Sequence, residues 1–240
     1  MRRKKRSPFP FTPTERRLIA RLRTPRLVQR YLNRLPYNSE PPPGRATLRS
    51  FRGVVHHRTA HCLEAALAAA TILEQHGYPP LVLSFESVDE LDHVIFVYRK
   101  NGRWGSVARS RDPGLHGRKP VFATSRALAL SYVDPYVDFT GRLKGYAVVD
   151  LRTLGPYDWR LADTNIWKVE RVLLDTPHRS IRTAGRRYKQ VLARYRAFRA
   201  RFPELKPLDY RGRKTWTEIP GDFFQRRGRR GHRGRRDHKN

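Results

Sequence analysis

The segment RTAHCLEAALAAATILEQHG, residues 58–77, constrains the fold more than any other part of the chain. Its alanine-rich centre has high helix propensity, and Gly77 follows where a left-handed residue often ends a helix. Thr59 or His61 can cap the start. The apolar residues recur at helical spacing and form one stripe, which comprises Cys62, Ala65, Ala66, Ala69, Ile72 and Leu73. The sequence therefore predicts a buried helix over residues 59–76.

Three strand-like runs follow this helix. They are LVLSFES (81–87), HVIFVYR (93–99) and RWGSVARS (103–110). Asn101-Gly102 separates the last two and is typical of a two-residue hairpin loop. A helix followed by antiparallel strands predicts an α+β fold, in which the helix packs on the sheet.

The hairpin loop fixes which residues of its two strands face each other. A two-residue loop pairs Lys100 with Arg103, and counting back along both strands places His93 opposite Ser110. Asp112 is then the diagonal neighbour of His93 on the same face of the sheet. The register thus predicts a carboxylate within reach of the imidazole.

The flanking sequence divides the chain into one domain and two tails. Prolines and basic residues in positions 1–13 predict a disordered arm, and the Arg/Gly-rich positions 220–240 predict a disordered tail. The segment between them, about residues 24–210, is predicted to be a single domain. Further helices are expected from Thr24, which precedes Pro25 as an N-cap, and near the C-terminal end; GYAVVDL (145–151) reads as an edge strand.

The charge of the chain is strongly positive, with 51 Lys and Arg against 21 Asp and Glu and a net charge of +30. Residues 2–6 supply five of the basic residues, and residues 226–239 supply eight more against Asp237 alone, so the interior is also basic. Such a balance favours nucleic acid or another polyanion as a partner. An Arg-rich genome would give the same composition.

The single cysteine and the absence of long apolar runs predict where the protein resides. One thiol can form no internal disulfide. No stretch of about 20 apolar residues exists, so no membrane span is expected. The basic N-terminus lacks the apolar core of a signal peptide, and these features together predict a cytoplasmic protein.

Cys62 is a candidate nucleophile because it falls in the first turn of the predicted helix. Unpaired N–H groups and the helix dipole stabilise a thiolate there. His93 can serve as the general base, and Asp112 can orient its ring. The alternative is that Cys62 is a small apolar residue of the buried stripe and that Asp112 belongs to an ordinary Asp-Pro-Gly turn.

The order of these elements resembles the transglutaminase-like cysteine-hydrolase superfamily. The resemblance lies in HCLEAALAAATIL, the GYPPLVL strand and DHVIFVYRKNGRWGSV, covers about residues 55–112, and extends to a bacterial group through GRWGSVARSRDPGLHGRKPVF. It implies a papain-like core with Cys62 as nucleophile, His93 as base and an aspartate on the next strand. That aspartate usually lies a few residues after the strand tryptophan, where this chain has Ala108. Asp112 or Asp92 could replace it, or the site could lack an acid and be inactive.

The sequence suggests two further roles for residues near Cys62. The backbone N–H of Cys62 can form part of an oxyanion hole together with a side chain from Asn38, Tyr37 or His57. A zinc site built from His56, His57, His61 and Cys62 is less favoured, because no carboxylate completes the set, and we expect no metal or cofactor.

The predicted function is therefore that of a cysteine hydrolase or acyltransferase acting on a peptide or carboxamide bond through Cys62, His93 and Asp112. The alternative is a non-catalytic protein of the same fold, which binds a polyanion such as nucleic acid through its basic surface and tails.

Overall fold

The computed structural model describes residues 10–40, 45–88, 92–137 and 142–224. These residues form helices α1 (Pro13–Arg21), α2 (Pro25–Arg34), α3 (Phe51–His57), α4 (Cys62–Glu74), α5 (Ser125–Leu130), α6 (Trp167–Asp175) and α7 (Gly185–Arg201). The strands are β1 (Leu81–Ser87), β2 (His93–Lys100), β3 (Arg103–Val107), β4 (Arg118–Phe122), β5 (Leu143–Asp150) and β6 (Arg179–Ser180). None of the described helices combines the length and apolarity that a bilayer crossing requires.

The six strands form one antiparallel sheet with the order β4-β3-β2-β1-β5-β6. Helix α4 packs against one face of its centre, where Val94 and Phe96 are buried with the alanines of the helix. On the other face Ile95 and Val97 join a second buried cluster with Tyr132. The central strands are apolar on both sides for this reason, and the predicted α+β architecture is confirmed.

The predicted helix 59–76 and hairpin loop are also confirmed. Helix α4 starts at Cys62, and Gly77 after its end has a φ of 86°. Asn101 and Gly102 have φ values of 50° and 74°, as a tight hairpin loop requires. The ladder pairs Lys100 with Arg103 and continues in this register to Phe96 and Val107.

The expected pairing of His93 with Ser110 is wrong, because β3 ends at Val107. Beyond Val107, the side chain of Gln29 in α2 makes the hydrogen bonds that a neighbouring strand would otherwise make. Its side chain accepts a hydrogen bond from the N–H of Ala108 at 3.0 Å and donates to the carbonyl of Ala108 at 2.8 Å. A side chain from a distant helix thus diverts the chain away from β2, and the diagonal contact predicted for Asp112 does not form.

The strand predicted over residues 145–151 is present as β5, but its predicted position at the edge of the sheet is wrong. Strand β5 pairs with β1 along its whole length, from Leu81 opposite Asp150 to Ser87 opposite Leu143. The two-residue strand β6 covers its other side. The second edge is β4, which the sequence analysis did not predict.

The predicted domain, residues 24–210, is too short at both ends. Phe11 is buried and contacts the ring of Phe51 edge-on at 6.0 Å, so the arm predicted over 1–13 joins the core at its end. Trp216 is buried, and Phe223 lies 5.5 Å from the His116 ring, so the fold extends past residue 210 into the predicted tail. Residues 1–9 and 225–240 lie outside the described residues.

The N-terminal segment can be tested through Phe11. Phe11→Ala should lower the free energy of unfolding by about 3 kcal/mol, because it removes a buried ring from a packed site. Phe224→Ala is the matched control, since that ring is 58% exposed, and its urea midpoint should stay at the wild-type value. Equal midpoints for both variants would show that Phe11 does not belong to the core.

Candidate active site

Helix α4 starts at a fixed point because two residues close its first turn. His61 occupies the N-cap position, and its backbone N–H donates to Glu64 Oε2 at 3.1 Å. This is the return half of a capping box, in which the third helical residue satisfies the N-cap. The capping box makes Cys62 the first residue of the helix, where unpaired backbone N–H groups and the helix dipole stabilise a thiolate.

Glu64 is fully buried and fastens the preceding loop to the helix. It accepts hydrogen bonds from Asn38 Nδ2 at 3.1 Å, Thr47 Oγ1 at 3.0 Å and the Arg49 backbone N–H at 3.0 Å. A buried carboxylate needs several such donors to offset its lost hydration. Removing it would free both the helix start and the wall of the groove beside Cys62.

His61 contributes its ring to the site as well as its backbone. The ring Nε2 donates to the Thr47 carbonyl at 2.9 Å, and His61 lines the same groove as Cys62. Burial alone lowers the pKa of His61, but the Cys62 thiolate and Glu64 outweigh burial and raise it to about 9. His61 is therefore an imidazolium at neutral pH.

His93 is the first residue of β2 and is buried. Its Nε2 lies 2.9 Å from the Leu115 carbonyl. A carbonyl only accepts, so Nε2 carries the hydrogen, and Nδ1 is the nitrogen left to exchange a proton. Cys62 and His93 line the same pocket, so the structure brings together the two residues predicted as nucleophile and base.

The thiol of Cys62 is activated by both imidazoles. Burial alone raises its pKa, but hydrogen bonds and positive charge from His61 and His93 outweigh burial and hold the pKa well below the usual thiol value. Cys62 is nevertheless partly exposed. A partly exposed thiolate can be reached by a substrate.

Tyr37 lies next to the nucleophile because residues 36–38 run parallel to Ala60, just before the helix. Tyr37 and Cys62 line the same groove, and burial together with the negative charge of Cys62 raises the pKa of Tyr37, so the hydroxyl keeps its proton. Tyr37 is therefore the one of the three candidate oxyanion-hole side chains that lies beside the nucleophile. Asn38 binds Glu64 and Thr47 instead. His57 ends α3, where it is exposed and packs against His56.

The two candidate acids are engaged elsewhere. Asp112 lines a small pocket together with Cys62 and His93, but its carboxylate binds Lys206 Nζ. Asp92 accepts from the backbone N–H of Ser87 at 2.8 Å and closes the turn between β1 and β2. The Leu115 carbonyl occupies the position on His93 where an orienting carboxylate was expected. No residue type or spacing in a sequence indicates that a backbone carbonyl orients the histidine.

Two connected cavities meet at Cys62. A groove of about 770 Å³ runs from the thiol past His61 to Trp167 of α6. A pocket of about 110 Å³ is lined by His93 and Asp112, and Tyr37, Cys62 and Arg111 line both cavities. A ligand in either cavity can therefore reach the thiol.

The described residues include no cluster of three or more His, Cys, Asp or Glu side chains arranged to hold a metal ion. The four residues of the considered zinc site separate into two groups. His56 and His57 pack against each other at 4.8 Å in α3, whereas His61 and Cys62 form the start of α4.

No protein-family model and no curated protein sequence matches the chain. Among solved structures, the chain is similar to one from Legionella pneumophila described as LapG (EGTA-treated). The identity is 13%, the match covers 59% of this chain and 81% of that one, and the TM-score is 0.34. A likeness of this size carries no argument about activity.

The role of His61 can be tested by alkylation of the single thiol as a function of pH. In the wild type the midpoint should lie well below about 8.5, the value for a free thiol. His61→Gln should raise it by about one pH unit, because a positive charge beside the thiolate is lost. In the wild type the rate should change again near pH 9, where His61 loses its proton.

His76→Gln is the matched control for this test. His76 lies just past the other end of α4 and also donates from Nε2 to a backbone carbonyl, that of Ile19 at 2.8 Å. Its substitution should leave the midpoint unchanged. An unchanged midpoint in His61→Gln would mean that His61 does not stabilise the thiolate.

Proposed function

We propose that this protein is a transglutaminase-like cysteine hydrolase or acyltransferase that acts on a peptide or carboxamide bond. The observation that carries the proposal is the Cys62 thiol at a helix start, which lines a groove together with His61 and a pocket together with His93, and whose pKa these two rings hold well below the usual value. A thiolate paired with imidazole is a strong nucleophile toward carbonyl carbon. A reducing compartment such as the cytoplasm, as the sequence predicts, would keep this thiol reduced.

Before the acylation step the proton of the Cys62 thiol has passed to His93, and the thiolate sulfur then attacks the carbonyl carbon to form a C–S bond while the C=O electrons move to the oxygen. The backbone N–H of Cys62 and the Tyr37 hydroxyl stabilise the negative oxygen. His93 then returns the proton to the nitrogen as the C–N bond breaks and the amine leaves. His61 keeps its own proton and stabilises negative charge on the sulfur.

In the deacylation step a water molecule, or an acceptor amine, attacks the thioester. His93 takes a proton from the attacking group, the C–S bond breaks, and the sulfur leaves as a thiolate beside the protonated His93. Cys62 is partly exposed, so water reaches the thioester and hydrolysis is favoured over acyl transfer. Asp112 has no part in these steps, because its carboxylate binds Lys206.

A peptide vinyl sulfone probes this site directly, because it reacts with an activated cysteine and the chain has only one. Native protein should be labelled much faster than denatured protein, Cys62→Ser should not be labelled, and His93→Gln should react at least about 100-fold more slowly. Asp112→Asn should react at the wild-type rate, which mass spectrometry of the intact protein measures. Equal labelling of native and denatured protein would contradict the proposal.

Helix α7 favours a second function, the binding of a polyanion such as nucleic acid. It contains seven basic residues and no acidic one, and most of them are exposed: Arg186, Arg187, Lys189, Arg194, Arg196, Arg199 and Arg201. Only Arg187 is seen paired with a carboxylate in the described part of the chain, that of Asp134. This surface is suited to phosphate contacts and requires no active site.

The salt dependence of nucleic-acid binding tests this second function. Replacing Arg186, Lys189 and Arg196 by Gln should weaken binding and reduce the slope of log K against log salt by about 0.9 for each lost phosphate contact. The same substitutions should leave vinyl sulfone labelling of Cys62 unchanged. A wild-type protein without salt-dependent affinity would rule the second function out.

A further inference from the structure

Arg118 is the only arginine with zero exposure among the described residues, although no carboxylate is seen bonded to it there. All its N–H groups have acceptors. Nε donates to Ser131 Oγ at 3.1 Å, and the two terminal nitrogens donate to the backbone carbonyls of Gly114 (2.6 Å), His116 (2.7 Å), Ser131 (3.2 Å) and Gly117 (3.4 Å). The guanidinium is also stacked between aromatic rings, 3.9 Å from the centre of Tyr132 and 5.1 Å from that of Trp216.

Burying a guanidinium without a counter-charge is costly. Burial lowers the pKa of Arg118 to about 10, so the side chain still carries its charge at neutral pH. In the segment 114–117 the guanidinium bonds only to backbone carbonyls, whose oxygens carry partial negative charge. These carbonyls stabilise the buried positive charge, and the same hydrogen bonds hold the main chain of the segment in place.

The segment that Arg118 holds includes the residue that contacts the candidate base. Gly114 and His116 flank Leu115, whose carbonyl accepts the hydrogen bond from His93 Nε2. The Tyr132 hydroxyl adds a second bond to the His116 carbonyl, at 3.0 Å. The peptide groups on either side of the one that contains the Leu115 carbonyl are thus both anchored, which restricts the direction of that carbonyl.

The surrounding packing leaves this segment little freedom. A Cβ atom added to Gly114 would lie 2.4 Å from the side chain of Pro135, and one added to Gly117 would lie 2.6 Å from the Ser106 carbonyl. Both distances are below van der Waals contact, so the main chain fits against its neighbours without room for a side chain. A change in the hydrogen bonds of Arg118 would therefore be transmitted to Leu115.

We propose that Arg118 is a positioning residue, which fixes the Leu115 carbonyl and through it the orientation of His93. It does through the main chain what an aspartate does directly in a Cys-His-Asp site. The inference rests on the proposed function, since it assigns His93 the role of base. It explains how the site can operate while Asp112 is bound to Lys206.

Arg118→Lys is the direct test, because lysine keeps the charge but cannot place donors on Gly114, His116 and Ser131 at once. The readout is the alkylation rate of Cys62 by iodoacetamide as a function of pH, with His93→Gln as the reference. Arg118→Lys should raise the midpoint in the same direction as His93→Gln, by about one pH unit, which lowers the rate at acidic pH roughly tenfold.

Arg160→Lys is the matched control for a purely structural effect. Arg160 is also buried and stacked on an aromatic ring, that of Trp159 at 4.1 Å, but it binds Glu74, at the opposite end of α4 from Cys62. Its substitution should lower the melting temperature without moving the midpoint. Should Arg118→Lys fail to fold, Tyr132→Phe removes one bond to the His116 carbonyl and should move the midpoint in the same direction by a smaller amount.

The outcomes separate this inference from the proposed function. If the wild-type midpoint equals that of a free thiol, the proposed function fails. If it is low and rises in His93→Gln but stays at the wild-type value in a folded Arg118→Lys, or in Tyr132→Phe where Arg118→Lys does not fold, only the role of Arg118 is overturned.

Discussion

The buried carboxylate of Glu64 is the interaction on which the candidate site depends. It accepts bonds from the N-cap of α4, from Asn38 and from the loop at Thr47 and Arg49, so one charge fixes both the helix start and the wall of the groove. The same helix start places Cys62 in one groove with His61 and in one pocket with His93. Burial opposes a thiolate, and the two rings reverse that effect, as the lowered pKa of Cys62 indicates.

Local sequence signals predicted the parts of the fold that local forces determine. The alanine-rich helix, the apolar runs and the Asn101-Gly102 loop depend on propensity, burial and turn geometry, which a short segment contains. The capping box was also present in the sequence, since Glu64 follows His61 by three residues, and it could have identified His61 as the N-cap. The errors arise where distant residues compete, as when Gln29 ends β3 at Val107.

The orientation of His93 could not be predicted from sequence for a related reason. A search for an acid considers side chains, whereas the ring here bonds to the main chain at Leu115. Any residue has a backbone carbonyl, so no residue type marks this role. Arg118 was equally hidden, because in a chain with 51 basic residues one arginine does not stand out until its burial is known.

The central claim is that the pKa of the Cys62 thiol lies well below its usual value, and the ultraviolet absorbance of the thiolate measures this without a substrate or a reagent. The chain has one cysteine, so the difference between wild type and Cys62→Ser reports that group alone. The account predicts a difference band at pH 7 that disappears only on acidification far below about 8.5, and that disappears at a higher pH in His61→Gln than in the wild type. A band that appears only above about 8.5 would contradict it.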